Sequence, residues 1–135
     1  MILLDTDVLI DVALDRPPHA RAGGELLTIL ESRPRMAFVA WHTLSNFYYL
    51  VSPTRGKDDA RQFLSDLTGF VSVAPTDTDA IHFATTLPLS DFEDALQVAA
   101  AWACGATHIA TRNVKDFRLS PIPAQRPADL IRELG

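Results

Sequence analysis

Two aspartates near the start of the chain have the type and spacing to bind a cation. Asp5 follows the apolar residues 2–4, and Asp7 stands two positions later, where apolar residues begin to recur at helical spacing. Carboxylate oxygens are ligands that Mg²⁺ and Mn²⁺ prefer. Each aspartate also has a structural explanation, because Asp5 suits an N-cap and Asp7 suits the helix dipole in the first turn. The pair alone leaves metal binding and capping both open.

A second acidic group precedes an apolar helix, where residues 89–96 read LSDFEDAL. Asp91 and Asp94 are three positions apart, so they share a helix face. Asp94 borders an apolar run in which an unpaired carboxylate is costly and a divalent cation would neutralise it. We interpret Glu93 structurally, as the acid of a capping box whose cap is Ser90. Asp94 is therefore the expected ligand, and Asp91 would bind directly or through water.

A third polar group follows a later apolar strand, in residues 111–117. Asn113 and Asp116 offer oxygen ligands, while Arg112 and Lys115 offer contacts to phosphate. An ordinary turn explains the same residues, since Asn and Asp favour turns and Arg and Lys are usually solvated. This segment alone leaves both interpretations open.

Strands and helices alternate in the predicted elements that would position these groups. This order predicts a three-layer α/β/α fold around a short parallel sheet of four to five strands. Ligands of such sheets collect beyond the carboxyl ends of the strands, so the carboxylates of Asp5, Asp94 and Asp116 should meet at one mouth of the sheet. The predicted strands are 2–4, 36–40, 71–74, 107–111 and a short one near Ile122, and the predicted helices are 6–15, 19–32, 41–51, 57–67, 77–86, 91–104 and 127–134.

Length and composition favour a single domain over residues 1–135. The 135 residues are 47% hydrophobic, which suffices for a core. The only cysteine, Cys104, predicts a reducing, cytoplasmic setting and reads as a small core residue. The N-terminus lacks the pattern of a signal peptide, and no apolar run is long enough to span a membrane. A net charge of −5 argues against a static nucleic-acid coat but is compatible with a metal-binding enzyme.

Taken together, the three polar groups resemble the PIN-domain nuclease family, which includes the VapC toxins. The resemblance covers nearly the whole chain, in LLDTDVLI at 3–10, in DAL at 94–96 and in residues 109–117. Two positions depart from the family pattern. Asn46 aligns with a residue that is Glu in most members, and Asn113 is Asp in many. An asparagine can accept a hydrogen bond or ligate weakly, but it brings no charge.

The resemblance implies a metal-dependent endoribonuclease, the toxin of a type II toxin–antitoxin pair. It implies Mg²⁺ or Mn²⁺, an RNA substrate, a small antitoxin protein and a homodimer, for which the aromatic-rich segments 41–51 and 57–70 offer surface. The expected metal ligands are Asp5 and Asp94, assisted by Asp91 and Asp116. Asn46 and Asn113 would position water or substrate. Expected substrate contacts are Arg112, Lys115, Thr6 and Thr111, of which the two threonines could instead support the ligands from behind.

Two other functions fit parts of the sequence. With no acid at position 46, the fold could serve as a catalytically weakened binding module that acts through dimerisation and a protein partner. A receiver-like phosphoacceptor domain would also place acids near strand ends, but Lys115 is poorly placed for it. His42 follows a strand in an apolar setting, so we interpret it as structural first and as a ligand or proton carrier second.

Overall fold

The computed structural model describes residues 1–135 and contains one five-stranded parallel sheet. The spatial order β3-β2-β1-β4-β5 shows that the chain begins at the centre, builds one side of the sheet and then the other. The order therefore reverses between β1 and β4, whose residues Leu4 and Ala110 are register partners. The strands are β1 (Ile2–Leu4), β2 (Ala37–Val39), β3 (Val71–Val73), β4 (His108–Ala110) and β5 (Ala124–Gln125).

Seven α-helices connect and cover the strands, and a 3-10 helix follows β4. The helices are α1 (Thr6–Ala13), α2 (His19–Glu31), α3 (Trp41–Arg55), α4 (Lys57–Leu67), α5 (Thr78–Thr86), α6 (Phe92–Ala103) and α7 (Pro127–Leu134), and the 3-10 helix is Val114–Phe117. The α/β fold class is thus confirmed, with the fifth strand two residues later than Ile122. Helix α3 outlasts its predicted end at residue 51, since Pro53 removes only one main-chain hydrogen bond near the helix end.

The alternation of side chains along β1 divides the core into two parts. Ile2 and Leu4 pack in a cluster with residues of α1, α2, α3, α4 and α7. Leu3, between them, packs on the opposite face against Val98 and Ala101 of α6. Because successive strand residues point to opposite faces, three consecutive apolar residues require helices on both sides of the sheet. The result is the three-layer arrangement that the sequence predicts.

Cys104 is half-buried and packs against the second cluster, in agreement with its interpretation as a core residue. None of the helices has both the length and the apolar character that crossing a bilayer requires.

Candidate metal-binding site

A cleft of about 300 Å³ lies where residues after β1 and β4 come together with α3 and the start of α6. This position is the switch point of the sheet, where the rule for parallel sheets places ligands. We call it the acidic cleft, because four of its side chains are carboxylates. Its lining comprises Asp5, Thr6, Asp7, Ile10, Arg16, Asn46, Leu50, Glu93, Asp94, Arg112 and Asn113.

Asp5 is the most deeply buried carboxylate of the acidic cleft, with 5% of its surface exposed. Its Oδ1 accepts a hydrogen bond from the Thr6 backbone N at 2.8 Å, and its Oδ2 accepts one from Thr111 Oγ1 at 2.9 Å. Burial raises the pKa of Asp5 well above its usual value, and the negative charges of Asp7 and Glu93 raise it further. The structure therefore fixes Asp5 firmly in a place where its charge lacks a counter-charge.

Asp7 joins α1 to the loop after β4. Its Oδ2 accepts from the Arg112 backbone N at 3.3 Å and from Asn113 Nδ2 at 3.0 Å, and Thr111 Oγ1 lies 3.1 Å away. Its Oδ1 is buried without a hydrogen-bond partner. Burial raises the pKa of Asp7. Because these contacts use Oδ2, Asp7 chiefly fixes the loop and presents Asn113 to the acidic cleft.

The start of α6 differs from the predicted one. The helix begins at Phe92, and its cap is Asp91, whose Oδ1 accepts from the Asp94 backbone N at 3.2 Å. Ser90 is thus not the cap, and Glu93 is not the acid of a capping box. Oxygen atoms of Asp91, Glu93 and Asp94 lie within 4.8 Å of one another. The local reason is that Asp and Ser are nearly equivalent caps, so sequence alone did not choose between them.

Asp94 is half-buried and lines the acidic cleft. Burial raises its pKa to about 7, with further contributions from the negative charges of Asp91, Glu93 and Asp116. A carboxyl group with this pKa is partly protonated at neutral pH unless a cation stabilises its charged form. Asp94 and Asp5 are both in the acidic cleft, as the strand-end rule required.

Glu93 is a cleft residue that sequence reasoning assigned to capping. Its Oε1 accepts from Gln97 Nε2 at 3.1 Å and lies 3.1 Å from His42 Nε2. The hydrogen bond with His42 is the main cause that lowers the pKa of Glu93, against the opposing effect of burial. A signal existed in the sequence, because a glutamine one helical turn after Glu93 in an apolar helix needs polar partners.

Gln97 connects α6 to α1 and α3 through hydroxyl groups. It is fully buried, and its Nε2 lies 2.9 Å from Thr43 Oγ1 and 3.1 Å from Thr6 Oγ1. The two hydroxyls are themselves 2.9 Å apart. This buried network fixes the first turns of three helices around the acidic cleft, and Thr6 belongs to it as a supporting residue.

Two arginines of the acidic cleft share a buried partner. Asp11 is 2% exposed, and its Oδ2 lies 2.8 Å from Arg112 Nε. Arg16 Nη1 lies 3.8 Å from the other oxygen of Asp11. Asp11 is therefore ion-paired, and it holds both guanidinium groups beside the carboxylates.

Four expected site residues lie outside the lining of the acidic cleft. Thr111 is fully buried, and its hydroxyl donates a hydrogen bond to Asp5 Oδ2. Asp91 serves as the cap of α6. Asp116 is exposed on the 3-10 helix, near enough for its charge to raise the pKa of Asp94. Lys115 borders a separate surface cleft together with Arg118.

The donor set of the acidic cleft fits a hard divalent cation. Carboxylate and amide oxygens are available from Asp5, Asp94, Glu93, Asn46 and Asn113, and such all-oxygen sets suit Mg²⁺ and Mn²⁺. Burial and the neighbouring carboxylates raise the pKa values of Asp5 and Asp94, and a cation would stabilise the charged form of both.

Known structures share this fold. A chain of VapBC2 from Rickettsia felis, solved bound to a promoter DNA fragment, superposes with a TM-score of 0.73 and 17% identity over 93% of this chain and 98% of that one. A chain of a toxin–antitoxin complex from Klebsiella pneumoniae superposes with a TM-score of 0.71 and 22% identity, over 94% of this chain and 98% of that one. The third structure is VapC20 of Mycobacterium tuberculosis, a toxin that cleaves the sarcin–ricin loop. It superposes with a TM-score of 0.68 and 16% identity, over 86% of this chain and 92% of that one.

At these identities the structural matches establish the fold alone, and no curated protein matches the sequence. A family model is more specific. The model described as PIN domain matches residues 1–115, which include every residue that lines the acidic cleft. The resemblance expected from the three polar groups is thereby confirmed, and this chain belongs to the PIN domain family.

Proposed function

We propose that this protein is a metal-dependent endoribonuclease that acts as the toxin of a toxin–antitoxin pair. The observation that carries the proposal is the acidic cleft, in which a buried Asp5 and a half-buried Asp94 share one space with two further carboxylates, Asp7 and Glu93. Membership of the PIN domain family and the likeness to VapC-type folds support the same reaction class.

A divalent cation held there would offset the charge of the scissile phosphate and make an attacking water more acidic. Asp5 and Asp94 would hold the cation, and Asp91 and Asp116 would assist through water. Asn46 and Asn113 would orient water or substrate by hydrogen bonds. Arg112 and Arg16 would contact phosphate oxygens at the edge of the acidic cleft, with Lys115 further along the RNA. Thr6 and Thr111 would keep the carboxylates in place.

The proposed partners follow from the same comparisons. VapBC2 and the Klebsiella protein are complexes of toxins with antitoxins, so we propose a small antitoxin protein that covers the acidic cleft. VapC20 cleaves a ribosomal RNA loop, which makes structured RNA the first substrate to try. We further propose that the protein forms a homodimer, because Trp41 and Tyr49 of α3 are each 71% exposed. A toxin of this kind would act in the cytoplasm.

The test combines calorimetric titration of the metal-free protein with Mn²⁺ and cleavage assays on structured RNAs with and without Mn²⁺. We expect one binding transition, and cleavage that chelation abolishes. The variant Asp5→Asn keeps the size of the side chain but removes its charge, and it should lose both manganese binding and RNA cleavage. Absence of manganese binding by the native protein would refute the proposal. Tight binding without cleavage of any RNA would favour the binding module, the alternative that Asn46 suggests.

A further inference from the structure

Glu93 is an ionised carboxylate that the residues around it hold in the acidic cleft. Its position in the first turn of α6, beside Asp94, does not by itself require it to face the cleft. Two contacts keep it there, one with Gln97 on the same helix and one with His42 on α3. Both contacts go to Oε1, and a further hydrogen bond joins Glu93 to Asp94.

The orientation of the Gln97 amide shows that this arrangement has a cost. Gln97 is fully buried, and its Oε1 has no hydrogen-bond partner. If the amide were flipped, Gln97 Oε1 could accept hydrogen bonds from the hydroxyls of Thr6 and Thr43. The same oxygen would then lie about 3.1 Å from Glu93 Oε1. Two acceptor oxygens at that distance repel, so the amide orientation that donates to Glu93 is the one that suits a carboxylate at this place. In this orientation the buried oxygen Oε1 of Gln97 has no hydrogen-bond partner, which is unfavourable.

The contact with His42 does not by itself account for this position, because the Glu93 side chain is 37% exposed and such a pair contributes little stability. Glu93 lines the same cleft as Asp5 and Asp94, and one of its oxygens lies within 4.8 Å of oxygens of Asp91 and Asp94. Carboxylates this close repel one another unless a cation lies between them.

On this geometry we propose that Glu93 is a metal ligand of the acidic cleft, delivered from α6, and that it supplies the carboxylate absent at Asn46 on α3. Gln97 and His42 are positioning residues that hold Glu93 Oε1 and thereby keep the carboxylate in the acidic cleft. This inference rests on the proposed function, since it assigns a ligand of the same metal.

The test measures manganese affinity in the metal-free protein by calorimetry for the native chain, Glu93→Gln and a matched control. Glu93→Gln keeps the size of the side chain and its acceptor for Gln97 but removes the charge. The control is Glu31→Gln, an exposed glutamate at the end of α2 that does not line the acidic cleft. We expect Glu93→Gln to weaken binding at least about tenfold, which is about 1.4 kcal/mol, and the control to bind as the native chain does.

A second variant guards against a folding defect in the first. Glu93→Gln combined with Asn46→Glu moves the carboxylate to the opposite wall of the cleft and should restore affinity to within about threefold of the native value. Circular dichroism and thermal unfolding check that every variant folds.

The outcomes separate this inference from the proposed function. If the native chain binds manganese and Glu93→Gln binds it equally well, Glu93 is not a ligand while the proposed function stands. If Glu93→Gln weakens binding but Asn46→Glu does not restore it, the relocation of the carboxylate is refuted. If the native chain binds no manganese, the proposed function fails and this inference fails with it.

Discussion

The sharpest prediction concerns Asp94→Asn, which keeps the shape of the side chain and removes its charge. The pKa of Asp94 is about 7, against an ordinary value of 3.8, because of burial and the charges of Asp91, Glu93 and Asp116. In the metal-free protein the folded state therefore binds a proton more tightly than the unfolded state does. Stability must fall as the pH rises from about 4 to about 7, and the variant should escape this loss.

The magnitude follows from the same pKa. A carboxyl group raised this far would cost about 4 kcal/mol at high pH if it were shielded from water. Asp94 is only half-buried, so solvent screening reduces the cost to about 1–2 kcal/mol. For a chain of 135 residues we expect Asp94→Asn to raise the unfolding midpoint at pH 8 by roughly 3–8 °C. The gain should shrink as the pH approaches 4.

The assay is thermal unfolding of both proteins in chelator between pH 4 and pH 8, followed by calorimetric titration with Mn²⁺. We expect opposite effects: the variant is more stable without metal and binds manganese at least about tenfold more weakly. Equal midpoints at pH 8 would refute the electrostatic reasoning. Equal manganese affinity would remove Asp94 from the proposed site, whatever the unfolding data show.

Three further predictions concern Asn46, Asp11 and the exposed aromatic residues of α3. Asn46→Asp should bind manganese more tightly and lower metal-free stability, because it adds a negative charge to the acidic cleft; titration and unfolding in chelator check both effects. Asp11→Ala should destabilise the fold by about 1–3 kcal/mol in urea unfolding, since it removes the buried partner of the partly exposed Arg112 guanidinium. The native chain should sediment as a dimer at tens of micromolar, and Trp41→Ser with Tyr49→Ser should sediment as a monomer; a monomeric native chain would contradict this.

Much of the fold was predictable because a given pattern of apolar residues is compatible with few arrangements of helices and strands. Residues 2–4 are all apolar, and such a strand must be covered on both faces, which with alternating helices implies a parallel sheet. The same logic placed Asp5 at a strand end and Asp94 at the mouth of a buried helix, and both line the acidic cleft. The lengths of the elements were harder to predict. Helix α3 continues past Pro53 to Arg55, because a proline near the end of a helix removes only one main-chain hydrogen bond.

By itself, then, the sequence determined the fold class and the positions of Asp5 and Asp94 next to buried apolar segments. The reason is that apolar segments must be buried away from water, which fixes where the polar residues beside them lie. The tertiary structure alone decided where Glu93 faces, since His42 is 51 positions away and no local pattern records the pair. It also made Asp91 the cap in place of Ser90 and set Lys115 beside another cleft. Such local alternatives differ by about 1 kcal/mol or less, so long-range contacts choose among them.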